Sequence, residues 1–342
     1  MGDVVTIRDV ARLAQVSVAT VSRALNGQQN VARGVRERVL EAARELRYVP
    51  HHAARSLSSR RTRTIGVILP DLHGEFFSEL MRGIDAVARE RDQLLLVSSY
   101  RRDPHELGVA IRAMRGRVDG MVVLAPFVDT TPLTQDIGNT QAAVLLNTDF
   151  TEVGVGTVAL DNRGGARSMV EHLAKQGYRR IAFIAGPQDH FDAGERLQGY
   201  RDALADVLPD TAPMVLEGNF DESGGYDAGR AIAAMAPGER PDAVFAGNDM
   251  MAIGCLCAFH EAKLRVPEDI AVAGFDDIPL ARYVHPTLTT MAVDIADMGG
   301  LALRTLLAGR EPDAPREVRR VHTHLVERDS TRARPREQAS AT

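Results

Sequence analysis

Polar and aromatic side chains follow several short apolar runs of the sequence, and these residue types suit the binding of a hydroxyl-rich molecule. The candidate set is Asp71, Phe76, Phe77, Asn147, Arg196, Phe220, Asn248 and Asp276. Carboxylates and amides exchange hydrogen bonds with hydroxyls, an arginine bridges two of them, and an aromatic ring covers the C–H face of a sugar. The alternative is that Asn248 and Asp276 cap the helices that follow and that the phenylalanines belong to the core.

The elements that must position these side chains are apolar runs alternating with helical stretches. One series is IGVILP, LLLVSS, GMVVLAP and AAVLLN, and a second is RIAFIAGP, MVLEGN, AVFAGND and DIAVAGFDD. Continuous apolar strands separated by helices predict parallel sheets covered on both faces. The two series therefore predict two doubly wound α/β lobes, with a ligand in the cleft between them, beyond the carboxyl ends of the strands.

The start of the chain has a different pattern, that of a small all-α head. Thr6 and Ser17 are each placed to begin a helix, and Asn26-Gly27 suits the end of the second. A third helix is predicted from about Arg33 to Arg47. Its apolar side chains are expected to close a three-helix core. They are Val35, Val39, Leu40, Ala43 and Leu46.

Small and polar side chains occupy the outward part of the predicted second helix. Short side chains allow close approach to a DNA major groove, hydroxyls and amides bond phosphates, and Arg23 can read guanine. A small surface helix with a polar face would explain the same pattern. The charge distribution favours DNA, because residues 1–64 hold 12 arginines and five acidic residues, a net +7, while the rest of the chain carries −12.

Other classes of protein find little support in the sequence. No apolar run is long enough to span a membrane, and the first residues lack a signal-peptide layout, so a cytoplasmic protein is expected. Cys255 and Cys257 should be free thiols. An enzyme is not expected, since no GxGxxG, P-loop or GxSxG motif follows a strand. His322 and His324 alternate on a predicted strand, but without a third ligand neither a metal nor another cofactor is expected.

Three segments closely resemble the lactose/galactose repressor family of bacterial transcription regulators. They are TIRDVARLAQVSVATVSRALNG, VRERVLEAARELRYVPHHAARSL and RTRTIGVILPDLHGEFF, and the resemblance continues to about residue 330. It implies a helix-turn-helix domain at 1–49, a hinge helix and linker at 50–63, an effector-binding and dimerisation domain at 64–331, and a disordered tail at 332–342. The first lobe would comprise about 64–161 and 292–321, and the second about 162–291 and 322–331.

The resemblance also implies which residues contact DNA. The expected set is Thr6, Ser17, Val18, Ala19, Thr20, Ser22, Arg23 and Asn26 in the head and Ala53, Arg55, Ser56 and Leu57 in the hinge helix. Val18, Ala19 and Arg23 match base-reading positions, while Leu57 matches a leucine that wedges into the minor groove at the centre of a palindromic operator. Packing of Leu57 against the following domain is the alternative. Gln15 stands in the turn where the family usually has glycine.

In the body, the resemblance implies a sugar effector. Arg196, Asn248 and Asp276 match effector-contacting positions, and the phenylalanines match an aromatic wall. His190 and Asp192 replace the residues that bracket a purine in the purine repressor, which counts against a purine.

The expectation is therefore a cytoplasmic, nucleoid-associated homodimer that binds double-stranded operator DNA and is released by a mono- or disaccharide. A purine-responsive repressor, a regulator with a protein corepressor and a periplasmic sugar-binding protein are the alternatives. The last of these would need a signal peptide and would have no DNA-binding head. The sign of the response to effector stays open.

Overall fold

The computed structural model describes residues 5–25, 30–48, 61–101, 103–126, 137, 142–148, 155–309 and 318–332. The chain forms two compact units, Met1–Thr62 and Arg63–Thr342, called the head and the body below. The predicted tail beyond residue 332 lies outside the described residues. So do five of the predicted DNA contacts, namely Asn26, Ala53, Arg55, Ser56 and Leu57.

The head contains the three predicted helices, α1 (Ile7–Leu13), α2 (Val18–Leu25) and α3 (Arg33–Glu45). Helix α1 begins where the backbone N–H and the hydroxyl of Thr6 both donate to Asp9, at 2.9 and 2.7 Å. Helix α2 begins at Ser17, whose Oγ accepts the backbone N–H of Thr20 at 3.1 Å. These caps satisfy groups that a helix start leaves without intrahelical partners.

The head core is small and aliphatic. Val10, Val21 and Val39 are fully buried and come from the three different helices. The prediction for Leu40 was wrong, because this side chain is 36% exposed on the outer side of α3. Helix α3 also ends two residues earlier than predicted, since Arg47 has a left-handed φ of 50°.

The body contains twelve described strands and seven described α-helices. In chain order the strands are β1 (Thr64–Leu69), β2 (Leu94–Ser99), β3 (Gly120–Leu124), β4 (Ala143–Leu146), β5 (Gly156–Leu160), β6 (Ile181–Ile184), β7 (Met214–Leu216), β8 (Ala243–Ala246), β9 (Ala271–Asp276), β10 (Thr289–Ala292), β11 (Val318–Val321) and β12 (His324–Val326). The helices are α4 (Glu75–Glu90), α5 (Pro104–Met114), α6 (Asn162–Lys175), α7 (Phe191–Val207), α8 (Glu222–Ala233), α9 (Asp249–Glu261) and α10 (Ile295–Ala308). Two 3₁₀ helices span Pro279–Arg282 and Asp329–Thr331.

The strands form two six-stranded sheets, one in each lobe of the body. The first has the order β11-β5-β4-β3-β1-β2 and is parallel throughout. The second has the order β12-β10-β9-β8-β6-β7 and is parallel except for β12. The chain passes from one lobe to the other after β5, after β10 and after β11. The first two crossings leave from strands next to the edge of their sheets, and the third leaves from the edge strand β11.

Two features of the body differ from the sequence expectation. The run LLLVSS was expected to be a buried strand, but β2 is the outermost strand of its sheet, and Leu94 is 57% exposed. An edge strand lacks a neighbour on one side, so its apolar side chains are only partly covered. Strand β5 and helix α6 were not predicted, although they carry the chain from the first lobe into the second.

Close helix pairs cover the sheets and fix the loops that reach the cleft. Helix α4 packs against α10, and a Cβ at Gly83 would overlap the carbonyl of Ala296. Helix α8 packs against α9 in the same way, with Gly225 against the backbone of Met251. Glycine is needed at both places because the two backbones touch there.

In the described ranges, no helix is long and apolar enough to cross a membrane.

Candidate functional site

The outward face of α2 is the first candidate site. Val18 is 41% exposed, and Ala19 and Arg23 are also exposed, while Val21 and Ala24 are buried in the head core. Ala19 and Arg23 are four residues apart and therefore lie on one side of the helix. The structure thus separates a buried aliphatic side of α2 from an exposed side formed by the predicted base-reading residues.

The four predicted hydroxyl contacts of the head are distributed around this face. Thr6 and Ser17 are exposed, and Thr20 and Ser22 are half-buried. The hydroxyls of Ser17 and Thr20 are hydrogen-bonded to each other at 2.9 Å. Because Thr6 and Ser17 also hold the starts of α1 and α2, any phosphate contact by these side chains would be made from a helix N-terminus, where backbone N–H groups favour anions.

The second candidate site is a cavity of about 230 Å³ between the two lobes of the body. It lies at the carboxyl ends of the parallel strands, as expected for open α/β sheets. Seven of the eight predicted effector residues line it, and they are Phe76, Phe77, Asn147, Arg196, Phe220, Asn248 and Asp276. Asp71 is not among the lining residues, and its carboxylate accepts the backbone N–H groups of Leu72 and His73, at 2.7 and 3.1 Å.

Arg196 is the centre of a buried hydrogen-bond network in the cavity floor. Its side chain is almost completely buried, and the guanidinium stacks on the ring of Phe275 with 3.8 Å from Cζ to the ring centroid. Nε donates to Asn162 Oδ1 at 2.8 Å, Nη1 to the carbonyl of Gly247 at 2.6 Å, and Nη2 to Asp276 Oδ1 at 3.1 Å. Helix α7 supplies Arg196, so the network joins α7 to the ends of β8 and β9.

Two buried carboxylates share this single guanidinium. Burial raises the pKa of Asp276 to about 6, against the opposing attraction of Arg196. Burial also raises the pKa of Asp192 to about 7, with Arg196 lowering it and the negative charge of Asp276 adding to the rise. Asp192 Oδ1 accepts the amide of Asn162 at 2.7 Å. The floor of the cavity therefore combines several fixed hydrogen-bond acceptors with one cation.

Asn147 brings the first lobe into this network. It follows β4, has a left-handed φ of 54° and is 3% exposed. Its side chain is a hydrogen-bond partner of Asp192 in the second lobe. Its Oδ1 is buried, and no described residue donates a hydrogen bond to it. Since an unsatisfied buried acceptor is costly, this atom is suited to accept a hydrogen bond from a bound ligand.

Aromatic rings form the sides of the cavity. Phe76 and Phe77 from the start of α4 meet edge to face with their centroids 5.6 Å apart. Across the cleft, Phe220 meets the ring of His190 edge to face at 4.9 Å. Asn248 fulfils both of its possible roles, since Oδ1 caps α9 by accepting the Met251 N–H at 3.0 Å while the side chain also lines the cavity.

Polar contacts between the lobes surround the cavity. The backbone N–H of Phe191 donates to the carbonyl of Pro126 at 2.7 Å, and that of Leu280 donates to Glu75 at 2.8 Å. Hydrogen bonds of this kind depend on the relative position of the lobes. A ligand that changes the angle between the lobes would therefore break or form them.

Sequence reasoning missed two residues of the floor. Asn162 was overlooked because strand β5 was not predicted, and the residue lies two positions after the end of that strand. Asp192 was considered only as a replacement of a purine-binding residue, although an acid in the first turn of α7 next to the sequence GERLQGY was a usable signal. Neither residue stands at the end of a strand that the apolar pattern had revealed.

The chemistry available in the cavity is recognition of hydroxyl groups. Acceptors lie at its floor and aromatic faces at its sides, an arrangement that binds and orients a small polyol. Among the described residues, no three His, Cys, Asp or Glu side chains form a group that could hold a metal ion. His322 is instead directed toward Asp161, with 4.0 Å between Nδ1 and Oδ2.

A helix-turn-helix head joined to two parallel α/β lobes with a polar cavity is the architecture of ligand-responsive bacterial regulators. Residues 6–51 match the family described as "Bacterial regulatory proteins, lacI family", and residues 170–331 match "Periplasmic binding protein-like domain". The chain belongs to the lacI family of bacterial regulatory proteins.

Relatives of known name support this assignment over nearly the whole chain. The chain is 35% identical to the ribose operon repressor of Escherichia coli (strain K12) over 309 residues, which are 88% of this chain and 92% of that protein. It is 34% identical to the transcriptional repressor CytR of the same organism over 334 residues, covering 96% and 97%.

Solved structures give the same result. A Lac repressor dimer bound to operator and the anti-inducer ONPF matches with a TM-score of 0.87 and 28% identity, covering 96% of this chain and 99% of that one. A complex of the transcriptional regulator CelR with cellobiose matches with a TM-score of 0.71 and 33% identity, covering 95% and 99%. The expected fold class, a helix-turn-helix head on a two-lobe α/β body, is confirmed.

Proposed function

We propose that this protein is a transcriptional repressor that binds a palindromic operator as a homodimer and leaves it when a small sugar binds between the lobes. The observation that carries the proposal is the presence, on one chain, of an exposed α2 face in a basic head and a polar, aromatic-sided cavity in the body. Relatives named as ribose operon repressors and a related structure with bound cellobiose support a sugar as the effector.

On this proposal the head reads the operator in the cytoplasm through α2. Val18 and Ala19 would contact base edges at close range, and Arg23 would hydrogen-bond a guanine. Thr6, Ser17, Thr20, Ser22 and Asn26 would contact phosphates, and the hinge helix around Leu57 would enter the minor groove at the operator centre. We propose the domain limits 1–49, 50–63 and 64–331 for the head, the hinge and the effector-binding body.

The sugar would act by stabilising one arrangement of the lobes. Residues on both sides of the cleft contribute to the cavity, so a ligand that touches Phe76 and Asn147 in one lobe and Arg196 and Asp276 in the other has different affinities for open and closed arrangements. The corresponding difference in binding free energy is what can shift the protein away from the DNA-binding state.

The test is fluorescence anisotropy of the full chain on a labelled palindromic duplex from its own upstream region. We expect tight binding that weakens steeply with salt, because phosphate contacts release counterions. One member of a panel of mono- and disaccharides should then release the duplex. Selective DNA binding that no sugar alters would refute the sugar effector and keep the DNA-binding role, whereas binding without sequence preference would refute the repressor assignment itself.

Matched variants separate the two functions. Arg23→Ala should abolish sequence-selective DNA binding while leaving sugar binding intact, because the head and the body are separate units. Arg196→Ala should abolish the response to sugar while leaving operator affinity in place. Leu57→Ala tests the hinge assignment separately, and unchanged specific affinity and unchanged DNA bending in this variant would rule out a minor-groove wedge.

A further inference from the structure

We propose that the cavity between the lobes admits an uncharged sugar and rejects its phosphate ester, and that Asp192 is the residue that makes this selection. The inference rests on the sugar effector proposed above and narrows its chemical class. Sugars and sugar phosphates share most of their hydroxyls, so a regulator can tell them apart only through the charge and the hydrogen-bonding capacity of its site.

The charges around the cavity are predominantly negative. Four carboxylates line it, and they are Asp189, Asp192, Asp221 and Asp276. Among the described residues that line the cavity, Arg196 is the single arginine or lysine side chain, and two histidines, His73 and His190, complete the titratable groups. The sequence segments 127–136, 138–141 and 149–154, which lie outside the described residues, together contain acidic residues but no lysine or arginine.

Arg196 is already engaged by the protein. All three of its nitrogens donate to Asn162, Gly247 and Asp276, and its flat face is covered by Phe275. A phosphate is bound best by a bidentate, charge-assisted contact with a guanidinium whose edge is open. Three of the five guanidinium N–H groups are therefore in use. A phosphate would have to compete with the buried carboxylate of Asp276 for the charge of Arg196, and weakening that pair is unfavourable.

Asp192 lies where a ligand must meet the floor. It is 3% exposed, and the groups that face it are Asn162, Asn147, Arg196 and Asp276. Its neighbour Asn147 Oδ1 still needs a donor. A sugar hydroxyl can donate to both acceptors, whereas a phosphate dianion has only acceptor oxygens to offer. A phosphate group placed at this part of the floor would therefore be repelled by the charge of Asp192 and could not donate the hydrogen bond that Asn147 Oδ1 needs.

The experiment is isothermal titration calorimetry of the full chain at pH 8, where a phosphate monoester is a dianion. The probes are matched pairs, namely D-ribose with ribose 5-phosphate, D-glucose with glucose 6-phosphate and D-fructose with fructose 1-phosphate. For each sugar that binds, we expect the phosphate ester to bind at least tenfold more weakly. Asp192→Asn keeps the shape of the side chain and removes its charge. It should reduce the ratio of sugar affinity to ester affinity at least threefold.

Asp206→Asn is the matched control, because Asp206 lies on the same helix but outside the cavity, where it pairs with Arg167. This variant should leave the ratio unchanged. An ester that binds the unmodified protein as tightly as its parent sugar overturns the inference and leaves the proposed sugar response standing. If Asp192→Asn leaves the ratio of the two affinities unchanged, the ester is rejected because of its size, and Asp192 has no part in the rejection. If neither these probes nor any mono- or disaccharide of the panel described above binds, the sugar effector fails and this inference fails with it.

Discussion

The buried carboxylate of Asp192 should make the stability of the body depend on pH in a way that one substitution can isolate. Its pKa lies at about 7 in the folded protein, against 3.8 for an unperturbed aspartate, because burial disfavours the charged form. The folded state therefore binds a proton more tightly than the unfolded state does. This contribution to stability is fully present below about pH 4 and is lost as the pH rises through about 7.

The size of the effect follows from the shift in pKa. A difference of about three units at 1.36 kcal/mol each corresponds to roughly 4 kcal/mol for holding Asp192 ionised in the folded body. We expect Asp192→Asn to raise the free energy of unfolding by about 2–4 kcal/mol at pH 8, because the amide removes the charge and keeps a partner for Asn162. At pH 5 the carboxyl is already protonated, so the substitution should change the free energy of unfolding little.

The assay is thermal unfolding of the body by circular dichroism at pH 5 and pH 8. At about 2 °C per kcal/mol for a domain of this size, the variant should melt several degrees above the unmodified protein at pH 8 and close to it at pH 5. Asp206→Asn, which removes a well-exposed carboxylate from the same helix, should shift neither value by more than a degree or so. A variant that is less stable than the unmodified protein at pH 8, with no such loss at pH 5, would show that ionised Asp192 stabilises the floor and that our reasoning is wrong.

Three further substitutions test other parts of the molecule. Arg196→Ala should destabilise the body by about 3 kcal/mol, since it leaves Asp276 buried without its partner, and calorimetry should detect no sugar binding. Gln15→Gly should stabilise the head by about 1 kcal/mol, because Gln15 has a φ of 53°, and slower hydrogen exchange of the α2 amides would register the gain. Val39→Ala should cost the head about 2 kcal/mol by opening a cavity in its core, and unchanged exchange rates would contradict the packing described for it.

The sequence predicted those parts of the fold that rest on periodicity. Val10, Val21 and Val39 each belong to a set of apolar residues at helical spacing within one helix, and the three helices of the head follow these patterns closely. Burial is harder to predict because it depends on neighbours that are distant in the chain. Leu94 belongs to an apolar run typical of a central strand, yet its strand lies at the edge of the sheet.

The candidate site was predictable where polar residues end apolar strands. Asn147, Asn248 and Asp276 were found by that rule, and all three line the cavity. The same rule suggested Asp71, which is not among the residues that line the cavity and whose carboxylate accepts two neighbouring backbone N–H groups. Asn162 escaped it because its strand, GTVAL, begins with Gly156 and Thr157 and therefore lacks a continuous apolar run. Contacts across the cleft, such as that between Asn147 and Asp192, depend on lobe placement, which no local pattern encodes.

The crossings between the lobes also determine when the body can fold during synthesis. Both sheets receive an outer strand from the very end of the described chain, as β11 pairs with β5 and β12 pairs with β10. Neither lobe can be complete until these strands have left the ribosome, whereas the contacts of the head are local and can form early. A chain interrupted before residue 318 would thus present a complete head on a body whose two sheets each lack an outer strand.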